Sequence, residues 1–244
     1  MTNRTPLRFR WDHRHPIHRT VVKWANQLLA KMPLERKYRI GQWLREGKSP
    51  YSLVGPGDVV VQVGAPSDTT LSGRSRGMHL SLRSRGGKAI IIEPDPRSAA
   101  EFEACAWALG LDHVTVVVSG AWNEPSALKL LVDPTHPATN FVAGTVNYEA
   151  ERAASFTAID IPVDTLDSII ERVLGNTGPV RLLSITTNNS EREILQGIGS
   201  IIDAGLQYLC LARTGEGYDE LVDMLGFDFL FSDDRGYTYV RRRA

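Results

Sequence analysis

The chain has 244 residues, 42% of them hydrophobic, and 28 Lys plus Arg stand against 28 Asp plus Glu. That length suits one α/β domain with an added element better than two equal domains. The balanced charge provides no global field for nucleic acid or an anionic membrane surface, so neither partner is indicated.

No apolar run reaches about 18 residues, and charges occupy the N-terminus where a signal peptide needs its apolar core. A membrane span and a secretion signal are therefore not expected. Cys105 falls in a helical pattern and Cys210 in a strand-like run. Both read as small buried hydrophobes in a reducing compartment, and the cytoplasm is the expected location.

Residues 1 to 15 are basic and irregular, with Trp11-Asp12-His13-Arg14-His15-Pro16-Ile17-His18 as their distinctive feature. A zinc site wants about four ligands at set spacing, so the histidines read as a solvated or substrate-facing tail and no metal is expected. Ile17, Val21, Trp24, Leu28 and Met32 recur at helical spacing. After Pro33 a second helix runs from Leu34 to Leu44, with Tyr38, Trp43 and Leu44 as its apolar set, ending near Gly47. Residues 1–50 thus form a helical extension, either packed on a sheet edge or serving as a lid. Turn chemistry at Gly47-Lys48-Ser49-Pro50 and Gly55-Pro56-Gly57 sets the boundary with a main domain over 51–244.

Asp58 to Val63 and Ala89 to Ile92 are short, nearly continuous β-branched runs of the kind buried parallel strands require. Between them lie the small-residue loop Gly64-Ala65-Pro66-Ser67-Asp68-Thr69 and a segment of helical length. Such a loop lets backbone N–H groups approach a ligand. A carboxylate ending the next strand, here Glu93, accepts hydrogen bonds from both hydroxyls of a ribose. The pattern reads as a nucleoside-type cofactor site. A dinucleotide fingerprint wants G-x-G-x-x-G and an acid roughly 20 residues on, and this chain has no such glycine set, so an NAD-linked oxidoreductase is the weaker alternative.

Arg97 to Leu109 is a helix on the sheet, carrying Ala100, Phe102, Ala104, Cys105, Trp107 and Leu109. His113 to Val118 is a third strand, and Ser119-Gly120-Ala121-Trp122-Asn123 follows at its carboxyl end, where α/β sheets place ligands. Ala127 to Val132 and Ala158 to Val163 read as strands, with Asp133 to Glu149 a long loop between them. Asp164 is the expected N-cap of a helix to Leu174, and Gly175 to Pro179 a linker. Arg181 to Thr187 is the fourth core strand, running into Asn188-Asn189-Ser190 and a helix from Glu191 to about Ile202. Leu206 to Ala212 is the fifth, followed by a helix over Tyr218 to Leu225 and a hairpin of Phe227–Phe231 and Tyr237–Arg241.

Over about residues 55 to 243 the chain resembles the FkbM family of S-adenosylmethionine-dependent methyltransferases. The likeness is carried by Val63-Gly64-Ala65, Glu93-Pro94-Asp95-Pro96, Pro162-Val163-Asp164-Thr165-Leu166-Asp167 and Glu191-Arg192-Glu193-Ile194-Leu195-Gln196-Gly197, with the terminal hairpin. It implies a Rossmann-like α/β fold, with a seven-stranded, mostly parallel sheet and an antiparallel last strand. It also implies S-adenosylmethionine as cofactor and methyl transfer to a hydroxyl of a small molecule, glycan or lipid headgroup. Cofactor contacts then fall to Gln62, Gly64, Ala65, Pro66, Asp68, Glu93, Pro94, Asp95, Ala121 and Trp122, and acceptor orientation to Thr186 and Asn188, with Asn189 beside them.

The chain departs from the family at two motifs. In Asp-Val-Gly-Ala-Asn-x-Gly, Gln62 stands for the Asp, Pro66 for the Asn and Asp68 for the second Gly, and the loop is longer by about five residues carrying Arg74 and Arg76. Either arginine is a candidate partner for the cofactor carboxylate. Where the family reads Lys-Ile-Asp-Val-Glu-Gly-Ala-Glu, this chain has Ser184-Ile185-Thr186-Thr187-Asn188-Asn189-Ser190-Glu191. Thr186 and Asn188 are not bases, so a proton acceptor must come from elsewhere, with His79 or His136 as candidates. The same departure leaves open a cofactor-binding or scaffold protein that has lost catalysis.

Overall fold

A computed structural model describes residues 31–48, 50–146, 154–176, 178–212, 218–233 and 236–242. The histidine cluster of Trp11 to His18 and all but the last two residues of the helix expected from Ile17 to Met32 lie outside the described residues, and Lys31 and Met32 form a turn. The strands are β1 (Val59–Val63), β2 (Lys88–Ile92), β3 (Val114–Val117), β4 (Gly120–Ala121), β5 (Ser126–Val132), β6 (Phe141–Val142), β7 (Thr157–Asp164), β8 (Leu182–Ile185), β9 (Tyr208–Leu211), β10 (Phe227–Asp233) and β11 (Gly236–Arg241). The helices are α1 (Leu34–Arg45), α2 (Ser67–Leu71), α3 (Arg76–Arg83), α4 (Pro96–Ala108), α5 (Leu166–Leu174), α6 (Glu191–Leu195), α7 (Gly199–Asp203) and α8 (Tyr218–Met224).

Seven strands form the main sheet in the order β10-β11-β9-β8-β1-β2-β3. Pairing is parallel from β9 to β3, while β11 is antiparallel to both its neighbours. This is the doubly wound α/β sheet with one antiparallel strand that the resemblance implies. Its strands are buried on both faces because side chains alternate. Val61, Val63, Ile90, Ile92, Leu183 and Ile185 meet α5, α6 and α7 through Ile169, Ile170, Ile194 and Ile201. Ile91 meets Met78 of α3 and Phe102 of α4, and Val60, Ala89 and Leu182 meet Leu80 and Tyr51. Cys105 and Cys210 are buried and unbridged.

The strands expected at Ala127–Val132 and Ala158–Val163 pair with each other, antiparallel, in a separate sheet of order β4-β7-β5-β6. Leu130, Val132, Ile161 and Val163 form its inner face. Lys129 and Asp160 meet on its outer face at 2.9 Å, both exposed.

Local expectations shift where tertiary contacts decide. Asp164 ends β7 rather than capping α5, and Thr165 Oγ1 accepts from Ser168 N at 3.2 Å instead. The helix expected from Glu191 to Ile202 breaks at Gly197, whose carbonyl accepts from Asp167 N at 3.1 Å and where a Cβ would lie 2.7 Å from Trp122 O. On α4 the sheet-facing set is Ala99, Phe102, Cys105 and Ala106, which turns Trp107 outward to 85% exposure. On α1, Tyr38 and Gly41 are buried and Trp43 is 71% exposed.

Gly41 explains the seating of α1. The helix lies against α3, where buried His79 packs edge-on to Tyr38 with centroids 5.0 Å apart. Gln42 Nε2 donates to His79 Nδ1 at 3.1 Å, which leaves Nε2–H to donate to Gly73 O at 3.1 Å. With both nitrogens held, the ring has little freedom to move. An alanine methyl at position 41 would meet His79 Cε1 at 2.4 Å. Helix propensity favours Ala over Gly by about 1 kcal/mol, whereas overpacking a fixed core costs about 1–3 kcal/mol. Gly41→Ala is therefore expected to destabilise the protein by about 1–2 kcal/mol in urea denaturation; unchanged or raised stability would show that the ring yields.

Candidate functional site

The carboxyl ends of β1, β2 and β8 converge on Gly64. Its φ is +82°, and a Cβ there would stand 2.4 Å from the Thr186 carbonyl oxygen, so only glycine lets the two strand ends approach. Beneath it Gln62, 1% exposed, donates through Nε2 to Gly64 O at 2.9 Å and Thr186 Oγ1 at 2.7 Å.

Glu93 is 5% exposed and joins the two strand ends. Oε2 accepts from Ala65 N at 2.6 Å and Oε1 from Asp95 N at 2.9 Å. Desolvation pushes its carboxyl up to about 7, against the lowering by those N–H groups, and the Asp95 charge adds to the rise. The capping acid of α4 is Asp95, which accepts from Arg97 N at 3.1 Å. Glu93 is thereby freed from a capping role. Each of its oxygens has one N–H donor and keeps a lone pair for a further one.

Two adjoining compartments open here. The first, about 70 Å³ and largely apolar, runs from Gly64 and Glu93 past Ala121 and Trp122 to Leu130, Ile161 and Val163 of the second sheet. The second, about 560 Å³ and more polar, adds Arg74, Arg76, Asn189 and Glu191. Gly64, Pro66, Ala138 and Thr186 to Asn188 line both.

Among the candidates named from sequence, Gly64, Pro66, Glu93, Pro94, Ala121, Trp122, Thr186 and Asn188 line this cleft. Ala65 is buried behind it, its N–H on Glu93. Gln62 lies below Gly64. Asp68 turns back to accept from Thr69 N at 2.8 Å, and Asp95 stands behind Glu93. His79 is locked in the contact with α1, and His136 is exposed on the segment after β5; neither lines the cleft. No residue of α1 lines it either, which favours packing over a lid for that helix. No group of three or more potential metal ligands occurs among the described residues.

Two features escaped sequence reasoning. The segment after β5, read as a loop, forms a strap over the site. Asp133 starts it, accepting from Thr135 Oγ1 at 2.7 Å and Thr135 N at 2.8 Å, bonds that hold its carboxyl at about 2. Asn140 Nδ2 then donates to Asp95 at 3.2 Å, and Asn188 Nδ2 donates to Asn140 O at 2.7 Å and Ala138 O at 3.0 Å. Asn189, at φ +67°, donates to Thr145 O at 3.1 Å. Asn188 thus holds the strap instead of capping α6, whose N-cap is Ser190.

The second feature is Glu191, 2% exposed on the polar compartment. Burial pushes its carboxyl up, and the Tyr218 hydroxyl approaches it at 3.5 Å. The available signal was that it alone survives of the acids in the fourth-strand motif.

No protein-family model matches the chain, and no curated protein sequence does. Among solved structures it is similar to a methyltransferase FkbM from Methylobacillus flagellatus, at 15% identity and a TM-score of 0.45, over 92% of this chain and 59% of the other. The chain thus spans 59% of the length of that protein. It is also similar to Aeropyrum pernix fibrillarin in complex with S-adenosyl-L-methionine (13% identity, TM-score 0.43, 84% and 75% covered). A third is a precorrin-6y C5,15-methyltransferase from Geobacter metallireducens (12%, 0.41, 78% and 83%). These are distant likenesses, and the chain's own strand order carries the fold assignment.

Removing the Asn188 amide leaves the Ala138 and Asn140 carbonyls without that donor. Asn188→Ala is expected to accelerate amide hydrogen exchange across residues 137–146 by about tenfold, with about 1–2 kcal/mol lost from global stability. Exchange unchanged in that segment would show that the strap is held by other contacts.

Proposed function

We propose that the chain is an S-adenosylmethionine-dependent methyltransferase, acting on a hydroxyl of a glycan, lipid headgroup or secondary metabolite. Residues 51–244 would form the methyltransferase domain and 1–50 a helical extension. The carrying observation is the buried Glu93 carboxylate at the end of the second core strand, facing an apolar compartment beside Gly64. Its remaining lone pairs fit the two hydroxyls of a ribose, and Trp122, Leu130 and Ile161 fit the faces of a purine. The absent glycine fingerprint argues against a nicotinamide cofactor, and the balanced charge supports a small-molecule or glycan acceptor over nucleic acid. A cytoplasmic location follows from the two free cysteines and belongs to the same proposal.

When bound, the cofactor would supply an electrophilic sulfonium methyl to the acceptor oxygen, with the thioether as leaving group, and the hydroxyl proton would have to be taken up. We assign that proton to Glu191. It is a buried carboxylate on the polar compartment next to Thr186 and Thr187, and its raised pKa suits a base better than an ordinary surface carboxylate does. Glu191→Gln is expected to keep S-adenosylhomocysteine affinity within twofold while lowering methyl transfer to an accepted hydroxyl compound by about 10²–10⁴-fold. Full activity in that variant would remove Glu191 from the mechanism.

Calorimetric titration with S-adenosylmethionine and S-adenosylhomocysteine tests the cofactor. A charged hydrogen bond contributes about 1.5–3 kcal/mol, so Glu93→Ala is expected to weaken binding about ten- to a hundredfold. The Glu93 pKa near 7 adds a pH signature. The protonated carboxyl has fewer acceptor sites for ribose hydroxyls, so wild-type affinity should rise between about pH 6 and pH 8. Glu93→Gln should flatten that rise. Absence of binding by the wild type would leave the scaffold reading in its place.

A further inference from the structure

The loop after β1 is poorly equipped to hold an anion with its backbone. Gly64 N donates to Ile92 O at 2.9 Å, and Ala65 N to Glu93 at 2.6 Å. Pro66 has no N–H. Ser67 N donates to Ser98 Oγ at 3.2 Å, and Thr69 N to Asp68 Oδ1 at 2.8 Å. Of the N–H groups from Gly64 to Thr69, those of Gly64, Ala65, Ser67 and Thr69 are thus engaged within the protein, and Pro66 has none.

Cationic side chains stand on the same compartment instead. Arg76, the first residue of α3, is 5% exposed and lines the space shared by Gly64 and Thr186. Arg74 lies at its mouth, where Nε donates to Ser72 Oγ at 2.9 Å and orients the guanidinium. Planar guanidinium groups are suited to bidentate recognition of a carboxylate. The compartment adjoins the apolar one at Gly64. A nucleoside with its ribose at Glu93 would therefore send a 5′ substituent toward the arginines.

We propose that Arg76, assisted by Arg74, binds the carboxylate of the amino-acid tail of the S-adenosyl cofactor, replacing the loop amides as the anion site. This rests on the proposed methyltransferase reading and names residues for it. The donor set is a side-chain pair on the inserted segment between α2 and β2. The loop can then dispense with a second glycine, and Asp68 is tolerated there.

The test compares two ligands that share the nucleoside and the sulfur: S-adenosylhomocysteine, which has the tail, and 5′-methylthioadenosine, which lacks it. Calorimetry on the full chain should give Arg76→Gln a ten- to hundredfold loss of S-adenosylhomocysteine affinity. Methylthioadenosine affinity should stay within twofold, and Arg74→Ala should show a smaller loss of the same selectivity. Arg76→Lys, which keeps the charge but not the planar fork, should recover part of the loss and guards against a folding defect in Arg76→Gln. Equal losses for both ligands in Arg76→Gln and Arg76→Lys would make Arg76 a structural support and overturn the proposal. So would S-adenosylhomocysteine affinity at the wild-type level in Arg74→Ala/Arg76→Gln. Failure of the wild type to bind either nucleoside would instead overturn the methyltransferase reading, and the carboxylate site with it.

Discussion

A buried carboxylate holds the centre of this molecule together. Glu93 sits at 5% exposure with one N–H from the β1 loop on one oxygen and one from the β2 loop on the other. Removing an ionised carboxylate from water is costly, and two hydrogen bonds from backbone N–H groups offset only part of that cost, which is why its pKa rises to about 7. What the contact contributes is geometry. It fixes the spacing between the ends of the two central strands, and Asp95 is left to cap α4. The same two strand ends approach β8 only because Gly64 has no side chain to strike Thr186.

The second sheet and its strap complete this floor into a cleft. Leu130, Ile161 and Val163 supply the apolar wall, and the segment after β5 crosses above Gly64 with Ala138 and Asn140. It is tied at one side to the acid that caps α4 and at the other to the turn after β8, through Asn140 and Asn188. Hydrogen bonds of a half-exposed segment open at lower free energy than those of the buried sheet.

Most of the main sheet was legible because its signal is local. Val59 to Val63 is apolar except at Gln62 and Ala89 to Ile92 is apolar throughout, and a run buried on both faces needs no partner to be recognised. Which face a residue takes was less legible. Trp107 and Trp43 are strongly hydrophobic and exposed, because the sheet selects the arc of α4 that carries Phe102, and His79 of α3 the arc of α1 that carries Gly41. The strap was illegible for a different reason. Its composition is that of a loop, and its order comes from side chains 48 and 50 residues away in sequence, on Asn188. Asn188, named from sequence as an acceptor-orienting residue, lines the cleft, but that its amide secures a backbone segment is a tertiary fact. The histidines had chemical promise only as isolated residues, since the fold places His79 against two tyrosines and His136 in solvent.

The two buried acids divide the cleft. Both Glu93 and Glu191 are pushed toward the protonated form by burial, yet their surroundings differ. Glu93 is gripped on both oxygens by backbone N–H groups belonging to the strand ends it joins, so it cannot swing, and a fixed acceptor is what orienting a ligand requires. Glu191 stands on the wider, more polar compartment with a long contact to Tyr218 and two arginines on the same lining. Thr187 and Tyr218 also bond to it. In the proposed reaction, the orienting and proton-accepting tasks would fall to opposite ends of one cleft. Of the acids in the fourth-strand motif, the chain thus retains Glu191 alone, immediately beyond that strand and on the polar compartment, where the proposed reaction needs a carboxylate.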